Sequence, residues 1–144
     1  MKRSTPSQEQ VLIKIGWLAG IIDGEGSLSH YYFKRKNRNL KKSPAYGIVI
    51  VNTDTLILNE VENILRKLDI YFSRNIKSSK RINSVEVFRS IKPCFVLSVR
   101  RRLDTERLLK IIYPYLIGEK KAKAKSMLNF FKLNPFNSKK QVRV

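Results

Sequence analysis

Apolar positions follow a helical period in three central and C-terminal stretches of the chain. Residues 54–68 have Asp54 as candidate N-cap, and residues 104–113 have Asp104 in the same place. Residues 119–132 repeat the pattern. In the first stretch one helical face collects the apolar side chains of Leu58, Val61, Ile64, Leu65 and Leu68. All three stretches are therefore predicted to be amphipathic helices.

Between the helices lie stretches rich in aromatic and β-branched residues, which favour strands. They cover residues 27–34, 46–52, 70–77, 84–90 and 94–99. The opening helix is predicted to begin near Ser7, where Gln10 completes a capping box, or at Thr5 with Pro6 in its first turn. The order α–ββ–α–ββ–αα predicts one α+β domain over residues 1–144, with residues 134–144 as a loose tail.

The charge distribution changes this picture from a generic domain to a nucleic-acid-binding one. The chain carries 30 Lys+Arg against 11 Asp+Glu, a formal net charge of +19, which is self-repelling without a polyanionic partner. Residues 26–53 hold six basic residues and no acid, and residues 70–103 hold nine basic residues and one acid. Because these are the predicted strand regions, we expect the strands to form the nucleic-acid-binding face.

Composition also excludes several classes of protein. Cys94 is the single cysteine and His30 the single histidine, which excludes disulfide scaffolds, multi-cysteine zinc modules and nucleases of the HNH or His–Cys type. The N-terminal residues lack the apolar core of a signal peptide, and no apolar run approaches the ~20 residues of a membrane span. We expect a soluble, intracellular protein with no membrane partner.

The string WLAGIIDGEG, residues 17–26, is the most informative segment. Gly16, Gly20 and Gly24 stand four residues apart and form a bare stripe on one side of the opening helix, which Ala19 widens. Such a stripe allows two helix backbones to approach closely. The alternative is a helix packed tightly against its own sheet, with glycines that only end it.

Two acids at the end of this helix, Asp23 and Glu25, oppose the helix dipole, which favours cations there. If two such helices met along the stripe, two Glu25 side chains would converge, an arrangement that requires a divalent cation. Carboxylate oxygens suit Mg²⁺ or Ca²⁺, and metals held between carboxylates can activate water for phosphodiester cleavage. The motif therefore predicts a metal site on a DNA-binding domain.

WLAGIIDGEG resembles the signature helix of the LAGLIDADG homing endonucleases. The matching positions are Leu18, Ala19, Gly20, Ile22, Asp23, Gly24 and Gly26. The resemblance implies the αββαββα homing endonuclease fold with a DNA-binding antiparallel β-sheet saddle. It also implies site-specific double-strand breaks in DNA, with Mg²⁺ as cofactor. Ca²⁺ is expected to support binding without turnover, because its looser coordination geometry positions water poorly.

The family further implies roles for individual residues. Glu25 would bind the metal through its carboxylate and Gly24 through its backbone carbonyl. Asn52 is similar to the residue that orients the hydrolytic water, and it could equally be a simple cap of the next helix. Lys120 corresponds by its spacing to a lysine that lines the site in the family. Two other lysines are alternatives for this position, Lys121 and Lys123.

Members of the family read DNA with the outward face of the sheet. If that face follows odd numbers after Gly26, Ser29 and Tyr31 point at the DNA, whereas His30 and Tyr32 point inward. Tyr31 could instead be hydrophobic cover. The remaining candidate DNA-binding residues are Arg35, Arg38, Arg74, Lys77 and Arg89.

The expected working unit is a homodimer, because the motif occurs once and one Glu25 could cut at most one strand. The expected interface contains Gly16, Ala19, Gly20 and Asp23. A two-fold axis in the protein implies a near-palindromic target in double-stranded DNA.

Three other readings fit parts of the sequence. Asp104 with Glu119 and Lys121 forms a D…ExK nuclease pattern, which is common by chance and here opens a helix. A non-catalytic splicing cofactor (maturase) that binds intron RNA and derives from the same family is the main alternative, although a pure binder has no use for Glu25. A small basic structural protein of RNP type would leave WLAGIIDGEG unexplained.

Overall fold

The computed structural model of the chain describes residues 7–34, 42–77 and 93–135. Helix α1 (Gln8–Glu25) leads into strands β1 (Gly26–Lys34) and β2 (Lys42–Asn52). Helix α2 (Thr55–Lys67) leads into strands β3 (Ser73–Lys77) and β4 (Cys94–Val99). Helix α3 (Arg102–Ile112), a 3-10 turn at Tyr113–Tyr115 and helix α4 (Glu119–Leu133) follow. The predicted order of helices and strands is confirmed, while the predicted strand over 84–90 lies outside the described residues.

The four strands form one antiparallel sheet in the order β1-β2-β4-β3. In its register Leu28 pairs with Ile48, and Ile48 pairs with Val99. Ile48 and Val99 are buried, so this row belongs to the face that the helices cover. Because side chains alternate along a strand, even-numbered residues of β1 face the helices and odd-numbered residues face away, as predicted.

One hydrophobic core lies between the covered face of the sheet and the helices. Helix α1 contributes Leu18, Ala19 and Ile22, all fully buried. The remaining large, fully buried side chains are Ile48, Ile50, Leu58, Leu65, Leu97, Leu108, Leu109, Ile112, Leu116 and Met127. The helical periodicity of residues 54–68 therefore reflects packing in this core. Four of the five predicted apolar positions are buried in it, and the fifth, Leu68, packs against its edge.

The caps of two helices are as predicted, and one is not. The Ser7 Oγ accepts the Gln10 N–H at 3.3 Å, and the Gln10 side chain accepts the Ser7 N–H at 3.1 Å. Asp54 caps α2 by accepting the Leu56 N–H at 2.9 Å. The prediction for Asp104 is wrong, because α3 begins earlier and Asp104 instead accepts the Tyr71 N–H at 3.0 Å.

Among the described residues, no helix has the length and apolar character needed to cross a membrane. The predicted loose tail begins at Asn134, which is the C-cap of α4. Residues 136–144 lie outside the described part of the chain.

Candidate active site and nucleic-acid interface

Gly26 ends α1 and allows β1 to begin at once. A Cβ at this position would lie 2.8 Å from the Ile22 carbonyl oxygen and 2.9 Å from the Ile22 Cα, closer than any side chain tolerates. The Gly26 N–H donates to the same carbonyl oxygen. Glycine is therefore required here by close approach, and Glu25 lies at the junction between the helix and the sheet.

Strand β2 brings Asn52 to Glu25. Gly26 pairs with Ile50 in the sheet, so the end of β2 lies beside the start of β1. The Asn52 side-chain N–H donates to Glu25 Oε2, and Asn52 Oδ1 accepts the Asp54 N–H at 2.8 Å. One end of the Asn52 amide thus supports the start of α2, as the capping alternative predicts, and the other end holds the exposed acid. Its role in orienting the hydrolytic water stays a prediction.

Asp23 is hydrogen-bonded within the chain, and its place in a dimer interface stays a prediction. Its Oδ2 accepts the Ile117 N–H at 2.9 Å, and its Oδ1 accepts the Gly118 N–H at 3.4 Å. Gly118 is the N-cap of α4. The carboxylate that opposes the dipole at the end of α1 is therefore favourably placed at the start of α4, where the dipole attracts an anion.

Lys120 joins the same junction from α4. Its Nζ donates to the Asp23 backbone carbonyl at 2.5 Å, one residue before the carbonyl of Gly24. This contact satisfies a carbonyl of the last turn of α1 and brings a cation beside the end of the helix. The neighbouring Lys121 lies over the ring of Tyr113, 5.2 Å from its centroid. Of the lysines considered, the structure brings Lys120 to the motif.

The oxygen donors at this junction suit a hard divalent cation, but a single chain offers few of them. Glu25 contributes an exposed carboxylate and Gly24 a backbone carbonyl, both oxygen donors of the kind that Mg²⁺ and Ca²⁺ prefer. Asp23 is already engaged by backbone N–H groups. The described ranges contain no group of three or more His, Cys, Asp or Glu side chains placed to hold a metal ion. In the described ranges, the carboxylate that this junction offers to a cation is therefore that of Glu25.

The opposite side of α1 from the core is exposed and apolar. Added Cβ atoms at Gly16, Gly20 and Gly24 would meet nothing within 4 Å. Ile13 is 69% exposed and Trp17 is 38% exposed beside the glycines. We name these five residues the glycine face of α1. Nothing in the described part of the chain accounts for glycine at its three positions.

Ala19 does not belong to the glycine face. Its side chain is fully buried in the core together with Leu18 and Ile22. The prediction that Ala19 widens the stripe is corrected by this placement, since on a helix the position before Gly20 turns about 100° away from it.

The uncovered side of the sheet, which we name the outer face, carries Ser29 and Tyr31 on β1 and Asn75 and Lys77 on β3. The register places these residues on the side opposite the Leu28 row, because Lys77 pairs with Cys94 and Ser29 with Gly47. Tyr31 is 52% exposed. The predicted positions of Ser29, Tyr31 and Lys77 are therefore on one common surface.

Arg74 lies on the other side of the sheet, which corrects its assignment as a DNA-binding residue. It pairs with the buried Leu97. Its guanidinium donates to Asn59 Oδ1 at 2.7 Å and lies 3.5 Å from the Glu62 carboxylate. Both partners belong to α2, so Arg74 fastens β3 to a helix. The sequence showed a basic strand, but only the register shows which side chain faces which surface.

Sequence reasoning missed Arg100 on the outer face. Alternation through β4 continues from Ser98 to Arg100, and the Arg100 side chain lies against Gly47. The alternation of the CFVLSVR segment could have revealed it. Three other candidate DNA-binding residues, Arg35, Arg38 and Arg89, lie outside the described residues.

His30 points inward as predicted, into a cluster of aromatic rings between β1, β2 and α4. Its ring centroid lies 4.5 Å from that of Phe130 and 5.9 Å from that of Tyr46. Burial, and then the charge of Lys123, lower the pKa of His30 below its ordinary value of 6.5. Histidine here is a packing residue that is neutral at physiological pH.

No protein-family model and no curated protein matches the sequence. Solved structures do match. The homing endonuclease I-CvuI in complex with its target gives a TM-score of 0.66 at 22% identity, over 92% of this chain and 73% of that one. The LAGLIDADG homing endonuclease I-GzeII, in complex with its DNA target, gives 0.58 at 21% identity, over 83% of this chain and 36% of that one.

The group I intron-encoded homing endonuclease I-CeuI, complexed with DNA, gives a TM-score of 0.61 at 16% identity, over 92% of this chain and 60% of that one. This chain thus spans little more than a third of I-GzeII and less than two thirds of I-CeuI. At these identities the likeness establishes the fold. The chain has the α+β fold of the LAGLIDADG homing endonucleases.

Proposed function

We propose that this chain, which has the fold of the LAGLIDADG homing endonucleases, is a DNA endonuclease that hydrolyses phosphodiester bonds with the help of a divalent metal. The observation that carries the proposal is the exposed Glu25 carboxylate held by Asn52 at the end of α1. An exposed acid at a helix C-terminus is unfavourable by itself. The position of the Glu25 carboxylate is explained if it binds a metal cation close to the DNA substrate.

Each residue of the junction has a distinct role in this proposal. Glu25 and the Gly24 carbonyl would hold Mg²⁺, which when bound would activate water and neutralise charge on the leaving oxygen. Asn52 fixes the direction of the Glu25 carboxylate through its N–H and would position the attacking water. Lys120, fastened to the Asp23 carbonyl, would place a positive charge near the phosphate that accumulates charge in the transition state.

The substrate is proposed to be double-stranded DNA bound on the outer face. I-CvuI and I-GzeII are bound to DNA targets in their structures, and this chain shares their fold. The outer face carries Ser29, Tyr31 and Lys77, and the basic segments at 35–41 and 78–92 adjoin its strands. Cations would supply affinity through phosphates, and polar side chains would read base edges.

The working unit is proposed to be a homodimer built on the glycine face. The exposed apolar side of α1 is self-complementary in a two-fold contact, since Gly16, Gly20 and Gly24 allow close approach of a second helix. Each copy would contribute one Glu25, so that two carboxylates would flank the metals and each would serve one DNA strand. A near-palindromic target follows from this symmetry.

The test is the Glu25→Gln variant, incubated with Mg²⁺ and a random-sequence DNA library whose cut ends are sequenced. Loss of the carboxylate should abolish cleavage while DNA binding persists. Glu9→Gln is the matched control, because Glu9 lies in the first turn of the same helix, far from the junction. Full cleavage by Glu25→Gln, or cleavage by the parent in excess chelator, would contradict the proposal.

The cleavage experiment, together with a measurement of binding to intron RNA, separates the endonuclease from the maturase alternative. A parent protein that binds intron RNA tightly and cuts no sequence in the library would be a splicing cofactor. A parent that cuts DNA only with divalent metal would be a nuclease.

A further inference from the structure

Three consecutive arginines follow β4, and the side chain of each has different surroundings. Arg102 donates to the Phe131 carbonyl at 3.3 Å and to the Asn134 carbonyl, and so caps the C-terminal end of α4. The guanidinium of Arg101 lies 3.7 Å from the centroid of the Tyr71 ring. Arg100 lies on the outer face. Two of the three therefore have a structural role, and the third calls for another explanation.

The Arg100 side chain lies directly over Gly47 of the neighbouring strand. A Cβ built on Gly47 would lie 3.5 Å from Arg100 Cγ and 3.5 Å from one of its guanidinium nitrogens. Both the stem and the head of Arg100 thus run across this glycine. Gly47 has no left-handed backbone that would demand glycine. A Cβ there would also lie 3.4 Å from the Val99 carbonyl oxygen, so a side chain larger than a methyl group would compete with Arg100 for this space.

The register places this contact within the outer face. Gly47 pairs with Ser29, and Val99, the residue before Arg100, pairs with Ile48. Arg100 therefore lies in one row with Ser29 and Gly47, three residues along the strands from Gly26. At about 3.3 Å per residue that row is roughly 10 Å from the start of β1. Strand β4 also lies two strands away from β1, so Arg100 is separated from the junction that holds Glu25 both along the strands and across them.

The charge of Arg100 is uncompensated among the described residues. The four described strands contain no Asp or Glu. Arg100 forms no ion pair within residues 7–34, 42–77 and 93–135, whereas Arg74 is paired with Glu62. Arg101 lines a recess that also contains Asp69 and Asp104. An arginine that forms no ion pair among the described residues, beside strands whose described residues include no acid, points to an anionic partner outside the protein.

We propose that Arg100 is a further DNA-contacting residue, and that Gly47 is the feature of the sheet that positions it. The inference rests on the proposed function and adds a residue to it. The planar guanidinium donates to phosphate oxygens or to the O6 and N7 acceptors of guanine with the same fork of N–H groups. Because the side chain already lies against Gly47, less rotamer freedom is lost on binding than for a fully solvated arginine.

The first test compares Arg100→Ala with the parent by fluorescence anisotropy on a 30-bp duplex of random sequence. Loss of one phosphate contact should weaken binding roughly eightfold at 0.1 M salt, and should lower the salt slope by about one unit. Lys110→Ala is the control: Lys110 is exposed on α3 and paired with Glu106 at 3.1 Å. It removes the same charge and should change the slope by much less.

Sequencing the sites that are cut or bound in a random DNA library then shows whether Arg100 donates to phosphate oxygens or to a base. If Arg100 contacts a phosphate, Arg100→Ala should weaken all sequences alike. If it contacts a base, the preference at one position of the site should disappear while the others remain. An Arg100→Ala protein that matches the parent in affinity, salt slope and site preference would overturn the inference.

Gly47→Val tests the positioning part by a double-mutant cycle. Valine is favoured in strands, so the melting temperature of Gly47→Val should stay near that of the parent. The valine methyl groups would occupy the space in which the Arg100 side chain lies. DNA binding should weaken in the parent background and change no further in Arg100→Ala. Equal losses in both backgrounds would show that Gly47 does not act through Arg100.

The outcomes also separate this inference from the proposed function. A parent protein without salt-dependent DNA binding would contradict both. A parent that binds and cuts DNA, together with an unaffected Arg100→Ala variant, would contradict the role of Arg100 alone.

Discussion

Helix α1 has two faces in opposite surroundings. On one, Leu18, Ala19 and Ile22 are fully buried against the sheet and the other helices. On the other, Gly16 and Gly20 have open space where a Cβ would be, and Ile13 is 69% exposed. Contacts within the chain explain the residues of the first face. They leave the residues of the glycine face without a reason.

The same contrast recurs in two other pairs of residues. Asp23 is satisfied by the backbone of the segment before α4, whereas Glu25 is exposed and meets only Asn52 in the described chain. Arg74 is held by Asn59 and Glu62 of α2, whereas Lys77 on the same strand lies on the outer face. In each pair one residue stabilises the fold. We propose that the other serves a partner, and the following comparisons separate the two roles.

The largest effect is expected from Gly20→Leu. A leucine at this position should keep two α1 helices apart, and so abolish both dimer formation and DNA cleavage. The single chain should still fold, since leucine gains up to ~1 kcal/mol of helix propensity over glycine. Light scattering with and without DNA, and cleavage of plasmid DNA, measure these two properties.

Ala19→Leu provides the opposite case. It overpacks the core and should lower the free energy of unfolding by ~1–3 kcal/mol, as measured by urea denaturation. If Gly20→Leu remained a fully active dimer, or if it destabilised the chain as much as Ala19→Leu, the two faces of α1 would not differ as proposed.

A smaller effect is expected from Asp23→Asn. An amide retains one acceptor but loses the charge that faces the start of α4, so the free energy of unfolding should fall by ~1–2 kcal/mol. Glu25→Gln removes an exposed charge from an unfavourable helix end and should leave stability unchanged or slightly higher. Urea denaturation of both variants decides, and equal destabilisation would contradict the assignment of separate roles.

The two faces of the sheet are compared by Arg74→Ala and Lys77→Ala. Arg74→Ala should lower the free energy of unfolding by about 1 kcal/mol, because a partly buried, hydrogen-bonded cation is lost, and should leave the salt slope of DNA binding unchanged. Lys77→Ala should reduce that slope by about one unit without a change in stability. The reverse pattern would mean that the faces had been exchanged.

The smallest effect concerns His30 and pH. Its pKa is lowered in the folded chain, so the unfolded chain takes up this proton more readily as the pH falls below 6.5. The contribution to stability is therefore complete above that pH and is lost on acidification. When the pH is lowered from 7.5 to 5.5, the melting temperature should decrease less for His30→Phe than for the parent. Identical falls would show that His30 carries none of the pH dependence.

The sequence by itself determined the features that depend on neighbouring residues. Helix α1 begins at the Ser7 capping box and α2 at Asp54, because a cap acts on the N–H groups of the next turn. Alternation along β1 determined that His30 faces inward. The motif singled out Glu25, and the family resemblance singled out Asn52, which the fold then brings into contact with it.

Only the tertiary structure decided where distant segments meet. Asp23 and Lys120 are 97 positions apart, and no local pattern shows that the start of α4 lies against the end of α1. The side of the sheet on which Arg74 lies depends on the register between β3 and β4, since a shift of one residue would exchange the two faces. Arg100 lies against Gly47, a residue of a neighbouring strand that is distant in the sequence. Long-range pairing sets these positions, so composition and periodicity could not.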